Sequence, residues 1–244
     1  LPVGSGARRG LWHTYAEPDG LPHSSVNAVC EDRRGRLWFA TLGGISRFDG
    51  ETFTAFTDED APTASRVLCL LEDRAGYLWL GTDGGLRRFD GEKFTTFSTE
   101  DGLPDNNVLC LLEDRVGHLW IGTGNGVSRF DGQTLQSYDA RDGLPGGQIA
   151  CLLEDPAGKV WLGTGDGVSR WDGEGFTTIA TGSELGFGRV RDMLIDRHGS
   201  MWFATGNLGL AGQGEGGGLV RWDGKVSRRF TNADGLPGVL LQDL

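Results

Sequence analysis

The residues of this 244-residue sequence best suited to acid–base, nucleophilic or metal chemistry are four histidines, His13, His23, His118 and His198, and four cysteines, Cys30, Cys69, Cys110 and Cys151. A hydrolase or lyase needs a positioned acid–base pair, or a nucleophile held beside its base. His118 and His198 fall in turns that recur almost unchanged along the chain, which leaves His23 as the histidine best placed in a variable loop. Cys69, Cys110 and Cys151 recur every 41 residues, and Cys30 falls two residues later than that spacing demands. No two cysteines are close in sequence and histidine is scarce, so neither a metal site nor a cofactor is expected. Equivalent positions on adjacent sheets lie roughly 10 Å apart, beyond the roughly 7 Å between Cα atoms that a disulfide allows. The thiols therefore read as small buried groups filling a core layer. Asp83 and Asp166 would need convergent oxygens to hold a cation, and their places in the repeat oppose that.

The interval of 41 residues is the period of an internal repeat. Trp38, Trp79, Trp120, Trp161 and Trp202 mark five copies of the stretch that reads Glu-Asp-Arg-Val-Gly-His-Leu-Trp-Ile-Gly-Thr at 113–123. Each copy divides into four strands, lettered A to D. In the third copy, A is the apolar run 108–112, short enough for a strand buried on both faces. A turn with Gly117 leads to B at 118–123, a Gly-rich turn to C at 127–130, and Asp131-Gly132, a strong tight-turn signal, to D at 134–138. Asp-Gly-Leu-Pro at 142–145 then carries the chain to the next A strand.

Four short antiparallel strands per unit predict an all-β fold, a β-propeller of four-stranded blades. Complete units span about 21–60, 61–101, 102–142, 143–183 and 184–234, with partial ones at 11–20 and 235–244. Residues 11–15 read as a D strand and 240–244 as the opening of a further A strand. No segment holds helical periodicity for ten residues, which excludes a helical solenoid. A parallel β-helix would need shorter coils and fewer Asp-Gly hairpins.

The order Gly-Leu-Pro-x-x-x-Val, then Leu-Leu-Glu-Asp-Arg-x-Gly-x-Leu-Trp-Ile-Gly-Thr, then Gly-Val-Ser-Arg-Phe-Asp-Gly resembles the two-component regulator propeller repeat. It is closest at 102–132 and returns with small changes at 20–50, 68–91, 143–173 and 190–224. The resemblance implies the extracytoplasmic, periplasmic sensing portion of a bacterial two-component regulator. The Trp-Asp pairs at 171–172 and 222–223 are not a WD40 signature, because they occupy strand C where other units have Phe-Asp.

Net charge is −11 and no Lys/Arg cluster stands out, which argues against a nucleic-acid partner. No apolar run approaches the length of a membrane span, so no membrane contact by this segment is expected. The chain opens on Leu without a signal peptide and reads as a processed chain or a fragment. With partial blades at both ends, ring closure is expected to be absent, strained or supplied by a second copy.

Chain direction puts the A–B and C–D turns on one face of each blade and the B–C and D–A loops on the other. The first face is nearly invariant, as turn chemistry alone requires. The second varies, and its D–A loops contribute the candidate ligand residues His23, Arg66, Asn106, Asn107, Gln148 and Arg189. The fifth unit departs twice on that face. Ser-Glu-Leu-Gly at 183–186 replaces Asp-Gly-Leu-Pro, and the B–C connection gains ten residues within 206–216. Arg88, Arg129, Arg170 and Arg221 repeat beside Asp90, Asp131, Asp172 and Asp223 and read as structural charges. The expected function is a non-enzymatic sensor propeller whose variable face meets a small molecule, a glycan or a partner protein domain. A structural or engineered repeat scaffold without its own ligand is the alternative, and a propeller lyase or hydrolase the second.

Overall fold

The computed structural model describes residues 13–56, 66–185, 189–206 and 217–236. The chain divides into two compact units, Leu1–Leu111 and Leu112–Leu244. Its described strands form five four-stranded sheets, each in the order A-B-C-D. The first unit holds β1–β4 (Val26–Glu31, Leu37–Thr41, Gly44–Phe48, Phe53–Phe56) and β5–β8 (Val67–Glu72, Leu78–Thr82, Gly85–Phe89, Phe94–Phe97). β9 (Val108–Glu113) begins at its end and is the A strand of the third sheet, completed by β10–β12 (Leu119–Thr123, Gly126–Phe130, Leu135–Tyr138). The second unit continues with β13–β16 (Ile149–Glu154, Val160–Thr164, Gly167–Trp171, Phe176–Thr181), α1 (Gly182–Leu185) and β17–β20 (Val190–Ile195, Met201–Gly206, Gly217–Trp222, Ser227–Phe230). The protein is a β-propeller of repeated antiparallel blades.

The repeated stretch builds each blade through one carboxylate. At the A–B turn of the third sheet, Asp114 Oδ1 accepts the backbone N–H groups of Val116 and His118 at 3.1 and 2.8 Å. Its Oδ2 accepts Trp120 Nε1 at 2.9 Å. Gly117 turns the chain at φ 93°, in the left-handed region where a side chain would be strained. Asp32, Asp73, Asp155 and Asp196 bind Trp38, Trp79, Trp161 and Trp202 in the same way, at 2.6–2.9 Å. Four of the indoles are therefore buried without an orphaned N–H, Trp120 1% and Trp38 2% exposed, while Trp202 is half-buried. Burying an aromatic of this size stabilises by about 2–3 kcal/mol.

The strand C arginines cover the other side of these rings. Trp38 pairs with Arg47 across β2–β3, Trp79 with Arg88, Trp120 with Arg129, Trp161 with Arg170 and Trp202 with Arg221. Each guanidinium lies 5.4–6.0 Å from the ring of its Trp partner, a cation–π contact. The repeated Arg packs against an indole face in every sheet.

Neighbouring sheets within a unit lock through the same turns. In the first unit Arg33 donates its backbone N–H to Glu72 at 2.8 Å and its guanidinium to the Arg74 carbonyl at 2.5 Å. In the second, Arg115 grips Glu154 and the carbonyls of Asp155 and Pro156 at 2.6–2.8 Å. Trp38 meets Phe89 of the next sheet, and Trp161 meets Trp222.

One expectation changes. Residues 13–16 are not strand, so the D strand at 11–15 is not formed there; residues 11 and 12 lie outside the described ones. Tyr15 instead packs its ring 5.3 Å from Phe53 and 5.7 Å from Phe48. Four D–A loops carry a 3-10 turn that ends on the Asp of their Asp-Gly-Leu run: Glu17–Asp19, Thr99–Asp101, Ala140–Asp142 and Asn232–Asp234. Asp101 and Asp142 each accept the backbone N–H of the residue preceding the turn, at 2.8 Å. Leu21, Leu103 and Leu144 are buried as plugs. The further A strand at 240–244 lies outside the described residues.

Candidate ligand-binding face

The D–A loops reach the B–C turns of their own or the preceding sheet, so both kinds of loop share one face of each blade. In the first unit Arg66 donates its backbone N–H to Asp83 Oδ1 at 3.1 Å, and its carbonyl accepts from Asp83 N. Asn106 receives the Gly85 N–H on its carbonyl at 2.7 Å. Arg66 and Asn106 are thus brought together around the single loop 83–85. Asn107 follows half-buried, its N–H bound to Asp105 Oδ1 at 2.7 Å. The Asn106 side chain is already committed, since Oδ1 accepts Thr99 N at 2.9 Å and ties the 3-10 turn to the loop. His23 stands at a different turn, beside Gly43. Its Nδ1 accepts the Ser25 N–H at 2.9 Å, which assigns the proton of the neutral ring to Nε2.

In the second unit Gln148 binds Gly165 N through its carbonyl at 2.9 Å, and Arg189 binds Gly206 N at 3.1 Å. They sit on the turns of successive sheets rather than on one. Burial, together with the charge of Arg191, lowers the pKa of Arg189 from its ordinary value. Such a guanidinium gains most from an anionic partner. Arg191 itself buries Nε and Nη2 without a hydrogen-bond partner among the described residues.

The fifth unit keeps its frame where its sequence departs. Thr205 Oγ1 donates to the Gly218 carbonyl at 2.9 Å, as Thr41 does to Gly44 in the first sheet. The long B–C connection leaves and re-enters an ordinary strand pair; residues 207–216 lie outside the described ones, as do 186–188. Gly182 to Leu185 form α1, with Glu184 Oε2 accepting Thr181 N at 2.7 Å and Leu185 5% exposed. Leu185, Phe203 and Trp222 line a cleft of about 220 Å³ in this unit.

The larger cleft, about 330 Å³, lies in the first unit on the opposite face, between the A–B and C–D turns of the first two sheets. Near invariance of those turns hid it in the sequence. The signal was the run Arg-Arg-Gly-Arg at 33–36, which no other repeat contains. Among the described residues no group of three His, Cys, Asp or Glu side chains is placed to hold a metal ion.

Four stretches of the chain, 20–43, 62–84, 102–125 and 143–166, match the family model described as two component regulator propeller. The matched stretches each run from a D–A loop to a B–C turn. A 55-residue segment, 22% of the chain, is 33% identical to Histidine kinase P4 of Formosa agariphila and covers 4% of that protein. Among solved structures, the extracellular domain of a hybrid two component system of B. thetaiotaomicron superposes over 90% of the chain with TM-score 0.74 and 22% identity. A second B. thetaiotaomicron extracellular domain, from a one component system, covers 84% with TM-score 0.65 and 23% identity. The chain spans 30% of each of those two structures. Virginiamycin B lyase of Staphylococcus aureus also shares the fold, over 84% of this chain and 69% of its own, with TM-score 0.63 and 16% identity.

Proposed function

We propose that the chain is a non-enzymatic sensing propeller, the extracytoplasmic receptor portion of a bacterial two-component regulator. Its D–A and B–C loops take a small molecule, a glycan or a partner domain. The observation that carries this reading is the regulator family match in four repeats, each ending on the loops of one face. Two features of that face support it. Loops 66 and 106 are drawn onto a single turn with the exposed Arg66 guanidinium beside them. In the second unit, Arg189 is a partly desolvated cation next to a second guanidinium. A rigid sheet presenting variable polar loops is the usual ground for recognition. His23 has one ring nitrogen engaged by its own loop, which supports binding over general-base chemistry at that position.

The test is a glycan and small-metabolite array followed by calorimetry on each hit. The reading expects a ligand that is bound without being turned over, whose affinity falls about tenfold in Arg66→Ala or Arg189→Ala. Val116→Ser, on the opposite face and 71% exposed, should leave that affinity unchanged. Equal affinity in all three variants, or conversion of the ligand to product, overturns it.

A further inference from the structure

The cleft on the turn face of the first unit differs from its counterparts in the other repeats by charge. The fourth residue after the Asp–Trp turn begins is satisfied internally in each of them. Tyr77 lies 4.7 Å beneath the Arg88 guanidinium. His118 faces Asp114 at 3.3 Å. Lys159 donates to the Asp172 carbonyl at 2.6 Å, and Ser200 accepts Arg221 at 2.9 Å. In the first repeat the same position is Arg36, which adds a guanidinium where a second one already lies.

Arg36 and Arg47 both flank the Trp38 ring, at 5.9 and 5.7 Å from its centroid. The carboxylate bound to Arg36 is Asp32, and it is saturated. It accepts Trp38 Nε1, Arg36 Nε and the backbone N–H groups of Arg34 and Arg36, and its side chain is 3% exposed. Arg47 Nε, like Arg88 Nε and Arg170 Nε, is buried without a hydrogen-bond partner among the described residues. Arg34 contributes only its backbone N–H to this network, leaving an exposed guanidinium at the rim. The two other acids lining the cleft are already engaged, Glu72 by Arg33 N and Asp90 by the N–H groups of Glu92 and Lys93. Phe89 and the Trp38 edge supply an apolar floor. Guanidinium forks with unused N–H groups over a low-dielectric floor bind carboxylate, sulfate or phosphate oxygens in charge-assisted pairs.

We propose that this cleft is an oxyanion-binding site, in which Arg34, Arg36 and Arg47 hold a carboxylate, sulfate or phosphate group against the edge of Trp38. It lies on the face opposite the D–A and B–C loops of the same unit, so it stands or falls separately from ligand binding there.

The test follows the indole and guanidinium N–H resonances of the whole chain during titration with inorganic phosphate and, separately, with malonate, at constant ionic strength. Saturable shifts of Trp38 Nε1–H and Arg47 Nε–H are expected, with the preferred anion identified by the lower midpoint. Arg36→Tyr installs the residue that fills this position in the second repeat, and should remove saturation while keeping the fold. Arg34→Ala removes an exposed charge and should raise the midpoint about fivefold. If Arg36→Tyr fails to fold, Arg34→Ala decides. Linear, non-saturating shifts, or the same midpoint in Arg34→Ala as in the unsubstituted chain, overturn the site.

Discussion

Trp120 Nε1 donates to Asp114 Oδ2 at 2.9 Å across the A–B turn, and the same carboxylate takes the N–H groups of Val116 and His118. Asp114 is 6% exposed and the indole 1%. Asp114→Ala therefore strands three donors, one of them deep in the core. Leaving a buried donor unpaired costs about 1–3 kcal/mol, so the variant should lose about 2 kcal/mol or more. Asp114→Asn keeps one carbonyl acceptor and should lose less. Urea midpoints followed by indole fluorescence measure both. Equal stability of Asp114→Ala and the unsubstituted chain would show that water replaces the carboxylate.

The same geometry sets the acid limit of the fold. Hydrogen bonds from Trp202 and from the Ser200 and His198 backbones hold the Asp196 pKa down to about 2, from an ordinary 3.8. The Thr134 and Gln133 N–H groups do the same for Asp131, also to about 2. Asp32 is lowered too: burial opposes its ionisation, but Trp38, Arg36 and Arg34 together outweigh it. Folded pKa values below the unfolded ones mean stability that is complete above about pH 4 and lost as pH falls towards 2. A plot of urea midpoint against pH should be flat from 7 to 5 and fall steeply below 4. Asp196→Asn should shallow that fall. A midpoint that rises on acidification would contradict the assignment.

Cys69 and Cys151 should be silent in the native state. Burial pushes Cys69 up to about 12 and raises Cys151 further, with the Asp192 charge adding to it. Burial also raises Cys30, against a backbone hydrogen bond at Glu72 that lowers it, and the charges of Glu72 and Asp32 add to the rise. Thiolate, not thiol, attacks a disulfide reagent. Labelling of Cys69 and Cys151 at pH 8 should therefore track urea unfolding instead of proceeding in buffer alone. Fast reaction of Cys69 or Cys151 in the folded chain would contradict their burial.

The blade was legible in the sequence because its signals are local. Asp-x-x-Gly-x-x-Trp forms its own turn, and Trp120 declares the buried strand face. The D–A segment was harder. Asp101 and Leu103 look like turn punctuation, yet Asp101 accepts the N-cap N–H of a 3-10 turn and Leu103 is 3% exposed. Nothing in the spacing distinguishes a solvated Asp from one folded back on its own backbone. The candidate ligand residues were legible as a face but not as a cluster. Arg66 and Asn106 meet through backbone bonds to Asp83 and Gly85 that their side-chain types do not announce. The Trp38 cleft was missed for the opposite reason. Regular turns suggested an inert face, while Arg34 and Arg36 had changed its chemistry without altering its geometry.

A compensated pair explains why Cys recurs opposite Gly. Cys151 faces Gly163 across β13–β14, and Cys69 faces Gly81 across β5–β6. A Cβ on Gly163 would stand 2.3 Å from Cys151 Sγ and 2.9 Å from Val190 Cγ1, far inside contact distance. The first sheet has Ala28 opposite Ala40, sharing the same volume differently, and the fifth has Asp192 opposite Ala204. Gly163→Ala alone should therefore overpack the site and cost about 1–3 kcal/mol. Cys151→Ala alone should cost less, by opening a small void beside Val190. The double variant rebuilds the pair of the first sheet and should recover most of the loss, with a coupling of about 1 kcal/mol or more in a double-mutant cycle. Additive losses would mean that Val190, one sheet further on, sets the limit rather than the Cys–Gly pair.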